Sequence, residues 1–254
     1  PFRRRLPEKG ARRGFDGGAP ECYTESDKAT GMDPGTYLLT KGSDLEMSNY
    51  VITVSRGYGS GGRTIGRMLA EELKIPFYDA ELLRMASDES GINETLFVQA
   101  DEKLKPSFLR KPHTHPGEVI PPESGDFVSR ENLYNYVAKV MRDLADRESC
   151  VIIGRCGDYI LRDRSNVLRL YVHAPFDYCV RKAMEVHGSF SADEAARYIR
   201  KVDKRRAEYY RAFTGRSWKD ADNYDLCLNS SDLGWDKCVA LVKAYLQIKV
   251  PGSL

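Results

Sequence analysis

No run of about 18 apolar residues occurs anywhere in the 254-residue chain, which excludes a spanning helix of ordinary length. The arginines near the start, Arg3 to Arg5, are not followed by the apolar stretch a secretory signal needs, so a cytoplasmic location is the expectation. The six cysteines (Cys22, Cys150, Cys156, Cys179, Cys227, Cys238) stand apart, without the close pairs of a zinc site or the density of a disulfide scaffold. Most of them read as reduced, small hydrophobic side chains. A surplus of charge is missing too: 39 basic residues face 37 acidic ones, a net +2. That is too little to argue for nucleic acid or a membrane as partner, and nothing names a protein partner. Histidine is scarce, and no Ser-His-Asp or Cys-His arrangement signals covalent catalysis. Any anion recognition has to come from local clusters of arginine and lysine.

Residues 1 to 46 are rich in glycine and proline, mix both charge signs and show no period. That is the pattern of a disordered or non-native leader, and Met47 is the expected start of a domain over 47 to 254. Val51-Ile52-Thr53-Val54 then forms a β-branched run entering a glycine cluster. Thr64 to Leu73 follows with Ile65, Met68, Leu69 and Leu73 at helical spacing. Ile75 to Tyr78 predicts a second strand ending at Asp79, and Glu81 to Ala86 a helix. Lys105 to Gly125 holds five prolines and predicts a mobile excursion from the sheet. His113 and His115 within it lack converging metal ligands and read as solvent-exposed. Helical period returns over Leu133, Val137, Val140, Met141 and Leu144. Strands are expected at Cys150 to Ile153, Leu168 to Val172 and Tyr224 to Asn229. Helices are expected at 177 to 187, 192 to 211 and 234 to 248. Five strands with intervening helices predict a parallel α/β/α sandwich.

The strongest chemical signal is Ser55-Arg56-Gly57-Tyr58-Gly59-Ser60-Gly61-Gly62-Arg63-Thr64, between a predicted strand and a predicted helix. There, backbone N–H groups and the helix dipole meet an anion, and glycines let the main chain come close to phosphate. Gly57, Gly59, Ser60, Gly61, Gly62, Arg63 and Thr64 are the candidate contacts for a nucleoside triphosphate. Against the pattern G-x-x-x-x-G-K-[ST], Arg56 stands at the first glycine and Gly62 at the lysine. Charge shifts between the β and γ phosphates during transfer, so a substitute cation is required, Arg63 or Arg56. Ser60 or Thr64 offers a hydroxyl to Mg2+, with water completing most of its shell. A second basic constellation, Arg197 to Arg216, holds eight lysines and arginines against Asp203 and Glu208. Arg200, Asp203 and Arg206 recur there every third residue.

The strand-linked Gly59-Ser60-Gly61-Gly62-Arg63-Thr64-Ile65-Gly66, Ile75 to Asp79 and the segment Cys150 to Leu161 together resemble the cytidylate kinase-like family over roughly residues 50 to 248. The resemblance implies a three-layer α/β/α P-loop NTPase fold, with a parallel five-stranded sheet and a helical lid. It also implies an ATP- and Mg2+-dependent nucleoside monophosphate kinase acting on CMP or dCMP, with small nucleotides as partners. Gly154-Arg155 matches the first two residues of a Gly-Arg-Asp motif that touches the acceptor nucleotide, with Cys156 replacing the aspartate. Arg155 is accordingly the candidate for the acceptor phosphate, because a guanidinium forks onto two oxygens. Asp79 falls where the acceptor-side aspartate lies, and Arg84 follows on the next helical turn. Asp203 and Arg206 match the lid series, and either Arg200 or Lys204 reaches the transferring phosphoryl group. Catalytic roles are thus expected for Arg63, Arg200 and Arg206, and acceptor binding for Asp79, Arg84, Arg155, Asp203 and Arg206. Tyr209, Tyr210 and Trp218 read as core or domain contacts. Two alternatives stay open: a nucleotide-binding regulatory module without turnover, and a kinase of another small metabolite.

Overall fold

The computed structural model describes residues 49–102 and 116–253; the expected leader, Met47, His113 and His115 lie outside them. Strands β1 (Val51–Arg56), β2 (Phe77–Tyr78), β3 (Cys150–Ile153), β4 (Val167–His173) and β5 (Leu226–Asn229) form one sheet in the order β2-β3-β1-β4-β5. All four pairings are parallel. β1 is central, with Val54 between Ile153 and Leu170. A strand covered on both faces needs apolar side chains on both, which is why its sequence reads as a run and not an alternation. Val51, Ile152 and Val167 point into one core, and Ile52, Val54, Ile153 and Leu168 into the other.

The first core is covered by α2 (Glu81–Ser90), α3 (Glu94–Glu102) and α4 (Arg130–Arg147), the second by α1 (Gly62–Leu73) and α9 (Trp235–Lys249). These are the three layers of the expected α/β/α fold. Short α5 (Gly157–Ile160) and α8 (Ser230–Leu233) follow β3 and β5. Between β4 and β5, α6 (Phe176–His187) and α7 (Ala192–Thr214) form a hairpin around Cys179, Ala183, Ala195 and Ile199. α7 starts at a capping box, in which Ser191 accepts from the Glu194 N–H and Glu194 caps the Ser191 backbone in return. It stops at Gly215, whose φ of 71° closes the last turn. Asp225, just before β5, pairs with Arg169 at 2.8 Å and Lys249 at 2.6 Å, fastening α9 to the sheet edge. Burial would raise its carboxyl, but those two cations hold it down to about 2. Among the described residues no helix is long and apolar enough to cross a membrane.

The structure departs from the sequence expectation in several places; α5 and α8 are additional, and β5 starts at Leu226 and not at Tyr224. β2 shrinks to two residues because Pro76 has no N–H for the ladder; its carbonyl still accepts from the Val151 N–H at 2.9 Å. α3 was not foreseen; Asn93 starts it by accepting from the Thr95 N–H at 2.9 Å, and Phe97 anchors it in the core. Residues 116 to 120 stay out of the sheet as expected, but this part of the supposed mobile excursion is tied to α4 by two buried asparagines. Asn132 accepts from the Ile120 N–H (2.6 Å) and donates to the Ile120 carbonyl (3.1 Å), while Asn135 donates to the Glu118 carbonyl (2.5 Å).

Candidate functional site

The glycine cluster joins β1 to α1, and its geometry is fixed from below. The Gly57 N–H donates to the Val172 carbonyl (3.1 Å), and the Ser60 hydroxyl lies within reach of the Gly57 and Val172 carbonyls (2.9 and 3.0 Å). Ser230 of α8 donates to the Ser60 carbonyl at 2.5 Å. Ser60 is fully buried, so its hydroxyl is an internal strut and does not face a metal on the loop surface. Thr64 is the exposed hydroxyl of the first turn. Gly61, φ 79°, precedes α1 at its N-cap, with no side chain capping the first turn. The N–H groups there are left for an anion. Gly59 also has φ 79°, and a Cβ on it would lie 2.6 Å from the Cys179 carbonyl oxygen and 2.9 Å from that residue's Cα. Gly59→Ala therefore adds a left-handed side chain to a backbone clash. It is expected to cost upwards of about 2 kcal/mol, measured by chemical denaturation, and to weaken triphosphate binding in calorimetry.

Beside the loop, at the carboxyl edge of β1, β2 and β3, lies a cavity of about 150 Å3 lined by Arg56, Arg155, Arg205 and Arg206, by Asp79 and Asp101, and by Tyr209, Tyr210 and Trp218. Arg155 reaches it through a turn in which Gly154, Arg155 and Cys156 have φ of 70°, 52° and 59°. Two consecutive left-handed non-glycine residues cost on the order of 1–2 kcal/mol each, and the turn aims the guanidinium across the strand ends. Arg155 donates to the Asp79 carbonyl (2.7 Å) and lies 3.4 Å from the carboxylates of both Asp79 and Asp101. Asp79 also accepts from Arg63 Nε at 2.6 Å and stands 4.0 Å from Arg56. Against burial, which would raise it, Arg56 and Arg63 keep this carboxyl below the usual range. Arg206 donates to the Arg56 carbonyl (3.1 Å) and lies 3.4 Å from Asp203, which in turn accepts from the Tyr58 N–H at 2.8 Å. Tyr58 also meets the α6–α7 hairpin through its hydroxyl, 2.7 Å from His187 Nε2. Burial and the neighbouring Arg206 bring the Arg56 guanidinium down to about 9. The Nε atoms of Arg56 and Arg155 are buried without a hydrogen-bond partner. Four guanidinium groups against two carboxylates, with two orphaned donors, fit an anion.

Of the residues singled out in the sequence, the structure brings Arg63, Asp79, Arg155, Asp203 and Arg206 together around the cavity and loop. Arg84 is not brought there: it sits on the outer side of α2, 3.5 Å from Asp88 and mostly exposed. Arg200 is exposed over the Phe176 ring, 4.7 Å from its centre, and Lys204 pairs loosely with Glu208 at 3.8 Å. Sequence reasoning missed Asp101 and Arg205 and gave Tyr209, Tyr210 and Trp218 no role, although all five line the cavity. Beneath it Asp158, almost fully buried, accepts from the hydroxyls of Tyr210 (2.6 Å) and Ser55 (3.3 Å). Among the described residues no group of three or more His, Cys, Asp or Glu could hold a metal.

The family model described as "Cytidylate kinase-like family" matches residues 51–232. No curated protein sequence matches the chain. Among solved structures it is similar to an uncharacterized protein from Eubacterium ventriosum ATCC 27560, at 23% identity over 78% of this chain and 99% of that one, with a TM-score of 0.57. It is also similar to a shikimate kinase from Bacteroides thetaiotaomicron, at 15% identity, 78% and 98% coverage and a TM-score of 0.44. A gluconokinase from Sinorhizobium meliloti 1021 stands at 13%, 80% and 94%, and 0.44. Residues 51–232 carry β1, the glycine loop, the left-handed Arg155 turn and the α7 arginines, and on that match the chain belongs to the cytidylate kinase-like family.

Proposed function

We propose that this protein is an ATP-dependent phosphotransferase whose acceptor is a nucleoside monophosphate, CMP or dCMP first. The observation that carries this reading is the juxtaposition of an uncapped, glycine-lined helix start with a cavity holding four arginines, two of them with orphaned Nε donors. The loop amides from Gly57 to Thr64 hold the donor phosphates. Arg155 and Arg206 hold the acceptor's phosphate, and Asp79 keeps Arg155 and Arg63 in place. Asp203 fixes the Tyr58 end of the loop. The exposed Thr64 hydroxyl would help to hold Mg2+, which would neutralise charge on the phosphates. Transfer is in line and needs no phosphoenzyme, because positioning and charge carry it.

ADP release from ATP, coupled to a dehydrogenase and measured against a panel of monophosphates, tests this. The expected result is stimulation by CMP or dCMP above the other bases. Intact ATP binding with no stimulation by any monophosphate overturns the acceptor assignment. A second reading, a kinase of another small metabolite, is favoured by the compact cavity of about 150 Å3 and by Cys156 in place of an aspartate. The panel therefore includes sugars and hydroxy acids, and a response confined to these selects it.

A further inference from the structure

Arg56 stands where the usual phosphate loop has its first glycine, and Gly62 where it has its lysine. In space these two departures touch. A Cβ on Gly62 would lie 2.5 Å from Arg56 Cβ and 3.2 Å from its Cγ, so a side chain at 62 and an arginine at 56 exclude one another. A Cβ on Gly154 would run into Arg56 Nη1. The Arg56 side chain thus lies in a corridor walled by Gly62 at the start of α1 and by Gly154 at the end of β3. Its head emerges into the cavity 4.0 Å from Asp79.

The head shares its carboxylate partner, Asp79, with two other arginines. Its Nε is buried without a partner, and the carboxylate of Asp79 is already engaged by Arg63 at 2.6 Å and approached by Arg155 at 3.4 Å. A second cation, Arg206, is hydrogen-bonded to the Arg56 carbonyl. Burial and that neighbour both disfavour the charge on Arg56, and an incoming phosphate would relieve both. Arg63, the other sequence candidate, is 59% exposed and spends its Nε on Asp79.

We propose that Arg56 is the cation on the donor's β and γ phosphates, and that Arg56 and Gly62 are one reciprocal exchange: the site takes a cation from position 56 or from position 62, never both. The inference rests on the phosphotransferase reading above. In the reaction an acceptor phosphate oxygen attacks the γ-phosphorus and the bond from that phosphorus to the β,γ-bridging oxygen breaks. The electron pair stays on the β-phosphate of the departing nucleoside diphosphate, where Arg56 meets the growing charge. A dianionic monophosphate acceptor brings no proton to be moved.

The test is a cycle of wild type, R56G, G62K and R56G/G62K, read by kcat, by ATP and AMP affinity in calorimetry, and by melting temperature. R56G is expected to lose about 100-fold in kcat and to weaken ATP binding more than the binding of AMP, which lacks the β and γ phosphates. G62K is expected to melt well below wild type, because its new Cβ meets Arg56. The double variant restores G-x-x-x-x-G-K; its remaining close neighbour, Val172 Cβ at 3.1 Å, asks for a shift of a few tenths of an ångström. It is expected to melt above G62K and to recover at least tenfold in kcat over R56G. R56M keeps bulk without charge, so a kcat loss like that of R56G at unchanged melting temperature isolates the charge. A double variant no more stable than G62K, or no more active than R56G, overturns the exchange. So does an R56M variant with wild-type kcat beside an inactive R63A, which gives the role to Arg63. Wild type that binds ATP without turnover counts against the acceptor reading alone, and the cycle is then decided on ATP affinity and melting. Wild type that binds no ATP overturns both.

Discussion

Arg155→Ala is expected to lower kcat/KM for the acceptor by about 1,000-fold while leaving ATP affinity unchanged. The guanidinium is 11% exposed and aimed into the cavity by a left-handed turn, with its Nε unpartnered. A fixed charged fork facing a phosphate is worth most where the surroundings are already dry. Folding should suffer little, because Asp79 keeps Arg63 and Asp101 is one-third exposed to water. Arg155→Gly sharpens the test. It removes the same fork but also the penalty of a left-handed non-glycine residue, so it should be more stable than Arg155→Ala and equally inactive. Steady-state kinetics with varied acceptor, set beside denaturation curves of both variants, measure this. Acceptor kinetics within a few-fold of wild type would place the acceptor outside this cavity.

Asp158→Asn is expected to stabilise the protein at neutral pH and to flatten its pH dependence. Burial pushes the Asp158 carboxyl up to about 6, against the opposing hydrogen bonds from Tyr210 and Ser55, from an ordinary value of 3.8. A carboxyl whose folded value is raised binds its proton more tightly in the native state than in the unfolded chain. Its contribution is therefore complete below about pH 4 and is lost as pH rises to about 6. Two pKa units correspond to about 3 kcal/mol. Urea denaturation between pH 4 and 7.5 should show wild type losing about that much from this group. The asparagine variant lacks this loss and overtakes wild type above pH 6. Parallel curves for the two proteins would mean that Asp158 titrates normally. A carboxylate kept at such a cost beneath the arginines holds Tyr210 and Ser55, both lining the cavity, in place.

How far the sequence could be read depended on whether geometry was local. β1, the glycine loop and α1 were legible because strand run, glycine spacing and helical period lie next to each other in the chain. The loop's glycines announced a close approach, but nothing in the spacing says that Ser60 turns its hydroxyl inward to Gly57 and Val172. α7 shows the limit of periodicity. Residues three apart in a helix differ by about 60° in direction, so Arg200 and Arg206 are about 120° apart. Only the half of the series nearest the loop, Asp203 and Arg206, can face it. Arg84 failed for the same reason: Leu82, Leu83 and Ala86 own the buried side of α2 and leave Arg84 outside. Asp101 enters from α3, which packs on α4 and comes from a part of the chain with no strand nearby, so no local signal tied it to Arg155. Arg56 was visible as a departure from the loop pattern; its partnership with Gly62 needed three dimensions.

The chain has two tryptophans, and the fold spends one on each side of the strand ends. Trp218 is buried in the wall of the arginine cavity, while the Trp235 indole abuts Gly61 of the phosphate loop with its Nε1 unpartnered. Each indole is thus an optical gauge built into a different half of the site. Trp218→Phe leaves a protein whose tryptophan emission comes from beside the loop alone, and Trp235→Phe one whose tryptophan emission comes from the cavity wall alone. Occupancy of the two halves, and the order in which they fill, can be followed in the molecule without attaching any label.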